Sequence, residues 1–403
     1  MSGILWKGKE NKIVRMKLYI VAFLLLLLSG CSGKNETAFF PVIDIEAAAG
    51  NCKEVMLSRY CSKIEYLPLG SENEFPVGER FFLFPQADGF YIGESSNSKC
   101  AYFGTDGKLK NTIGSRGRAK GEYISILHAG ADRYGNMVIS DFDKLTLYDK
   151  NGELKGILDL GLVRSKTEEN IQLYDFLPIG DYYAFYGMNP ATSNAQTVFV
   201  DTLGNVVMVY NPYPDEKGTA YVPMSGKRNT ASAYLYKDSL VVADSYSDTL
   251  FRFDPQLNRI PAFAVHYGKY KMKSGAERDG SITVNARNSM ETESFVLLSL
   301  ISWADLPFMA PDNRVTSLVY DKATGQATIL PYSEAMEQYC FTNDIDGGAP
   351  FAPDAVYGDK IYQVIDAIHF IELSKEYGSP EMKEIAKGLD ENSNPVLVVA
   401  TLK

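Results

Sequence analysis

Gly114–Gly152, GSRGRAKGEYISILHAGADRYGNMVISDFDKLTLYDKNG, contains a loop, a strand and a hairpin in one cycle. Met137 and Ile139 alternate with polar neighbours, as do Leu145 and Leu147, which is the two-residue period of half-buried β structure. Asn151-Gly152 supplies the positive φ angles of a tight turn, and the turn follows an aromatic residue and an acid, Tyr148-Asp149. The same signature recurs at Phe103-Gly104-Thr105-Asp106-Gly107, at Val200-Asp201 before Gly204, at Phe253-Asp254 before Asn258 and at Tyr320-Asp321 before Gly325. From Gly104 the spacings are 45, 52, 53 and 67 residues, and the first three approach the repeat of a four-stranded propeller blade. The pattern therefore predicts an all-β chain, a six-bladed β-propeller: five blades carry a turn and a sixth is shared between the two ends.

Closing such a ring requires the terminal segments to pair, because an open propeller leaves a long strand edge. Pro395–Leu402, PVLVVATL, is an apolar β run, and Lys63–Leu69, KIEYLPL, is its expected partner. Phe39–Ile45 is expected as a first edge strand. Ser379-Pro380 is expected to open a short helix through Met382, Ile385, Ala386 and Leu389, with serine as cap and proline at the first position. Lys269–Glu293, polar and without alternation, reads as an inserted loop that explains the long fourth spacing.

The first residues carry Lys7, Lys9, Lys12, Arg15 and Lys17, then the apolar run Leu18–Leu28, then Ser29-Gly30-Cys31. Eleven residues of helix rise about 16 Å, too little for a hydrocarbon core of about 30 Å, so the run is a secretory signal and not a membrane span. Leu28-Ser29-Gly30-Cys31 resembles a bacterial lipobox, which implies cleavage before Cys31, diacylation of its sulfur and attachment to the membrane. Met16 offers an alternative start with a complete signal. The expected organisation is a signal peptide at 1–30, a lipidated tether at 31–38 and the propeller at 39–403. Ser32 after the cysteine suits the outer membrane, with the periplasmic and the surface faces both open.

Loss of residues 1–30 removes five basic residues and one acid and takes the net charge from −10 to −14. So acidic a chain is not expected to bind nucleic acid, whose affinity comes from clustered Lys and Arg. Cys52 and Cys61 are near enough in sequence to form a disulfide, whereas Cys100 and Cys340 read as buried small residues.

Four blocks resemble the six-bladed propeller lipoproteins of Bacteroides-type bacteria, relatives of the NHL-repeat propellers. They are Lys120-Gly121-Glu122-Tyr123 with Asp132–Asp141, Asp248-Thr249-Leu250-Phe251 with Pro261 and His266-Tyr267-Gly268, Asn343–Gly348 with Pro350-Phe351, and Asn394-Pro395-Val396-Leu397. The resemblance implies a fold and an envelope location, and it carries no reaction or catalytic residue with it.

Candidate chemistry is sparse. Gly114, Gly117 and Gly121 with Arg116, Arg118 and Lys120 match neither a P-loop nor a dinucleotide fingerprint; the choice is between a connecting loop and an anion-accepting patch. Asp344 and Asp346 before Gly347 offer oxygens that suit calcium, against an ordinary Asx turn, and lack the remaining acids of an EF-hand. The turn acids and Asp141 recur with the blades, so their expected role is to accept backbone N–H bonds. His128, His266 and His369 lie in different blades. Tyr182-Tyr183 and Phe185-Tyr186 are candidates for sugar stacking or for the blade core. The functional expectation is an outer-membrane-anchored binding or adaptor module for a protein partner or a glycan; the alternatives are a metal-dependent lyase or hydrolase with its site in the central channel, and a purely structural envelope component.

Overall fold

Six four-stranded antiparallel sheets stand around a ring, each beginning with an inner strand and ending with an outer one. The structure is a computed structural model and describes residues 40–403 except 71–74, 79–80, 167–172, 174, 187–195, 212–230, 245–246, 272–279, 303 and 312. Blade 1 comprises Phe81–Gln86, Gly89–Glu94, Lys99–Gly104 and Leu109–Thr112. Blade 2 comprises His128–Ala131, Met137–Ser140, Lys144–Tyr148 and Leu154–Asp159, and blade 3 Asp175–Ile179, Tyr182–Tyr186, Thr197–Asp201 and Val206–Tyr210. Blade 4 comprises Ala231–Tyr236, Ser239–Asp244, Thr249–Phe253 and Arg259–His266, and blade 5 Ile282–Glu291, Phe295–Ser302, Val315–Asp321 and Gln326–Ile329. Blade 6 takes Ala355–Tyr357, Lys360–Ile365 and Val396–Leu402 from one end of the chain and its outer strand, Cys61–Pro68, from the other. Each inner strand packs against those of both neighbouring blades, so the six together wall a central channel.

The recurrent acid-glycine signature is the turn between third and fourth strands in blades 1 to 5. In Asp201 and Asp254 one carboxylate oxygen accepts the N–H groups two and four residues on, at 2.8–2.9 Å, and the other takes the side-chain amide of Asn205 or Asn258. Asp132, between the first two strands of blade 2, repeats the arrangement with Asn136. Three residues after the acid the backbone enters the left-handed region, at Gly135, Gly152, Gly204 and, without glycine, Leu257. A sixth copy is missing because Val396–Leu402 and Cys61–Pro68 meet without a hairpin between them: Leu67 pairs with Leu397 and Ile64 with Ala400. The expected closure is thus observed.

The expected first edge strand is Val42–Asp44, and it joins blade 4, parallel to Arg259–His266, as a fifth strand. Asp44 then caps the helix Ile45–Ala49, and the chain runs over the outer strand of blade 5 as a strap. Ile329 N–H donates to Asn51 O and Leu57 N–H to Thr342 O, while Arg59 Nη2 and the Tyr60 hydroxyl reach Asp321 Oδ2 at 2.7 and 3.0 Å. The strap covers two strand edges before the chain enters blade 6.

One expectation needs correction. Lys269–Glu293 is not wholly a loop, because Ile282–Glu291 is the inner strand of blade 5. Ile282, Val284 and Ala286 do alternate, but a register shift between Asn285 and Met290 inserts Arg287-Asn288-Ser289 and hides the period. Cys52 and Cys61 are both free, because Cys52 lies exposed over the outer strand of blade 5 while Cys61 is buried at the start of the outer strand of blade 6. Cys100 and Cys340 are buried as expected. Ser379 caps the helix Pro380–Ala386 as expected, and a second helix, Ala367–Glu376 capped by Asp366, precedes it. Phe370, Leu373 and Met382 anchor the pair in the core of blade 6.

Candidate functional site

Alternating strand direction gives the ring two unlike faces. Connections from first to second and from third to fourth strands open on one face, and none exceeds five residues. Crossings between blades and second-to-third loops open on the other, reaching thirty residues at 366–395. Variable chemistry on a rigid scaffold concentrates in such long connections.

At the channel, four ionisable side chains come from inner strands. His128 opens that of blade 2, Asp175 that of blade 3, Asp354 directly precedes that of blade 6, and Arg287 lies in the bulge of blade 5. Arg287 Nη2 meets Asp175 Oδ1 at 2.7 Å, so the pair links blades 3 and 5 past the inner strand of blade 4. The Arg287 side chain keeps 49% of its surface exposed and can meet a second anion. The bulge that hid this strand from the periodicity also presents its guanidinium. Below it, Ala286 N–H donates to Ser232 Oγ at 2.7 Å and fixes the bulge to blade 4.

Burial lowers the His128 imidazole to about 4; the Asp175 carboxylate opposes that shift and the Arg287 charge adds to it. The ring is therefore neutral at pH 7, stands 5.3 Å edge-on to Phe176, and has a buried Nδ1 with no hydrogen-bond partner among the described residues. Ser125 Oγ, three residues earlier, is likewise buried and unpartnered. Asp354 behaves oppositely: loss of bulk solvation raises its carboxyl to about 6, partly offset by the Val364 N–H at 2.8 Å. Asp354 remains open to solvent while protein surrounds it, as expected for a group in a narrow water-filled passage. His128, Asp175 and Arg287 act on one another and supply a fixed cation beside a neutral base, which suits an anionic ligand group, while Asp354 in blade 6 is a separate acid poised near neutrality.

Arg116, Arg118 and Lys120 lie exposed on the crossing from blade 1 to blade 2, with no ion-pair partner among the described residues. That loop folds back through Gly117 N–H to Tyr123 O and Tyr123 N–H to Ser115 O, and the Glu122 carboxylate accepts from Ala119 N–H amid the three bases. Asp344 and Asp346 stand at the periphery of blade 6. Asp344 accepts from the Ser58 N–H and hydroxyl; Asp346 accepts from Tyr66, Ser379, Asn343 and the Gly348 N–H. Their oxygens are occupied by protein donors, and no group of three or more His, Cys, Asp or Glu side chains placed to hold a metal occurs among the described residues. Tyr183, Phe185 and Tyr186 are core residues. His266 pairs with Asp44 and His369 with Ala335 O, far in the chain from His128 and each from the other. Cys31 lies outside the described residues. Asp175, Arg287 and Asp354 escaped the sequence reading, and knowledge of which strand is innermost is what would have found them.

No curated protein matches the chain. Among solved structures, a protein of Bacteroides fragilis described as exported shares the fold, with a TM-score of 0.63 at 15% identity over 90% of this chain and 99% of its own. A DUF4221 member from Bacteroides vulgatus is more distant, with a TM-score of 0.43 at 13% identity over 88% of this chain and 98% of that one. The profile of the family described as "Domain of unknown function (DUF4934)" matches residues 40–401, which takes in the strap, all six blades and the clasp, and the chain belongs to that family.

Proposed function

We propose that the protein is an exported binding module of the bacterial envelope, anchored to the outer membrane through Cys31, that holds a protein partner or glycan on the long-loop face with an acidic group in the channel. The observation that carries the reading is the Asp175–Arg287 pair: a half-exposed guanidinium, positioned by a bulge and one carboxylate, on an otherwise acidic chain. The lipobox and the Bacteroides resemblance support the anchor, and the unequal faces support the choice of surface.

Cross-linking and co-purification of the tagged full chain from its own membranes, read by mass spectrometry, test it. A stoichiometric partner or glycan held by the wild type and lost at least tenfold in Arg287→Ala is expected. Equal recovery in wild type and variant would overturn the channel assignment, and absence of any companion would overturn the adaptor reading.

A second reading, catalysis in the channel, rests on Asp354, because a carboxyl titrating near 6 suits general acid and base work. Turnover abolished by Asp354→Asn with ligand affinity retained would favour it over binding alone.

A further inference from the structure

On the short-turn face, blades 6 and 1 leave between them a cleft of about 220 Å³. It is a seam feature: one wall is the turn Tyr357–Lys360 of blade 6, the other comes from Gln86–Phe90 and Thr105 of blade 1. Within that second wall, Gly89 lets the second and third strands of blade 1 close up, since a Cβ there would lie 2.1 Å from Phe103 O. Gly358 at φ +59° turns the first wall outward with open space where a Cβ would be.

The floor is apolar, from Phe90, Leu67 and Leu397, and the rim is polar. Tyr357 is 40% exposed at the rim, and burial followed by the nearby Asp359 carboxylate and Tyr357 pushes the Tyr362 phenol up to about 12. The Tyr362 phenol therefore stays protonated and can donate as well as accept. Among the described residues the Tyr357 and Tyr362 hydroxyls, the Asp359 carboxylate and the Lys360 ammonium have no hydrogen-bond or ion-pair partner, and they converge on one small space. Other turn acids on this face are held by partners, as Asp88 is by the Tyr102 hydroxyl and Lys150, and Asp201 and Asp254 by backbone N–H groups.

We propose that this cleft is a saccharide subsite for one neutral pyranose ring, free or at the end of a longer glycan. Adjacent unpaired groups of opposite sign leave no net charge to attract an ion, while four groups that can donate or accept suit a ring of hydroxyls. The aromatic and aliphatic floor suits the ring's C–H face. Size agrees, because the cleft is smaller than the roughly 300–1,000 Å³ of pockets for drug-sized ligands and has room for a single ring.

The test uses the full chain in detergent with neutral hexoses, N-acetylhexosamines, a uronic acid and the matching oligosaccharides, followed by saturation-transfer NMR and titration calorimetry. Binding in the millimolar range is expected for at least one neutral ring, at least tenfold weaker in Tyr357→Ala and in Asp359→Asn, and weaker for the uronic acid. Both positions are exposed, so unchanged melting temperatures will certify the fold. Binding of the monosaccharide and the oligosaccharide with equal affinity marks a free-sugar site; preference for the oligosaccharide by tenfold or more marks a glycan terminus. Absence of binding by every sugar at about 10 mM, or affinity unchanged in both variants, would overturn the proposal.

Discussion

Glu291 and Arg252 form a buried pair that ties blade 5 to blade 4: Arg252 Nη2 donates to both carboxylate oxygens at 2.9 and 2.8 Å, and the Glu291 side chain is 2% exposed. Lys322 Nζ at 2.7 Å and the Tyr234 hydroxyl at 3.1 Å complete its shell. Tyr236 lies under both cations, 4.9 Å from the Arg252 guanidinium carbon and 4.4 Å from Lys322 Nζ. Glu291 is thus the common acceptor for one phenol and two cations drawn from two strands and a turn.

Removing that acceptor strands its donors. Glu291→Ala leaves two partly buried cations without a counter-charge and is expected to cost about 3 kcal/mol, the lower end for breaking a buried pair because water reaches both cations. Urea unfolding measures this, and a change below about 1 kcal/mol would show that the cations find other partners.

A second junction rests on Asn394, 2% exposed just before the closing strand. Its Oδ1 accepts from Val77 N–H at 2.9 Å, and its Nδ2 donates to Gly70 O and Phe75 O at 3.2 and 3.0 Å. The side chain thereby fastens the crossing from blade 6 to blade 1 beside the clasp. Asn394→Asp keeps the shape but removes both donations, so it is expected to destabilise by about 3 kcal/mol, similarly to Asn394→Ala. If the aspartate variant unfolds at the wild-type denaturant concentration, the amide is not what holds this crossing.

These two junctions show what a sequence discloses and what it hides. The turn acids and the Ser379 cap stand out because each acts on residues two to four away, and the clasp Pro395–Leu402 because it is one apolar run, whereas Asn394 acts on partners 317 to 324 positions distant. The phase of the pattern is also local, so the blade count could be read from the turns. Glu291, Arg252, Asp175 and Arg287 act across blades, on partners 39 and 112 positions distant. No local period marks such pairs, and in Ile282–Glu291 the bulge erased even the strand that carries Arg287 and Glu291. The seam cleft is less legible still, since it depends on how far two sheets stand apart.

The thiols give a chemical check on the unpaired cysteines. Cys52 alone among the four cysteines of the described residues is exposed, while burial pushes Cys61 and Cys340 up to about 12. Native protein should therefore take iodoacetamide at Cys52, slowly at pH 7 because its own thiol is raised by partial burial, and faster at pH 9. Cys61, Cys100 and Cys340 should label only after unfolding. A Cys52–Cys61 peptide recovered under non-reducing digestion would contradict the free thiols and the placement of the strap.

His128 and Asp354 predict a pH response with two opposing arms. The folded-state value of His128 is lowered to about 4, so its contribution is fully present above about 6.5 and is lost as pH falls from there towards 4, where the unfolded chain gains a proton that the native site refuses. That arm amounts to at most about 3 kcal/mol, at roughly 1.4 kcal/mol for each tenfold change in proton affinity. The value of Asp354 is raised to about 6, so its contribution is fully present below about 4 and is lost as pH rises through 6. The two arms overlap between about pH 4 and 6 and offset each other, which flattens the wild-type profile there. Asp354→Asn removes the second arm, and its stability should fall more steeply than wild type as pH drops from 6.5 to 4. His128→Asn removes the first, and its stability should instead rise over the same interval. Denaturation at five pH values with the two variants decides the matter: parallel profiles for both would mean that neither group is held away from bulk water by the channel.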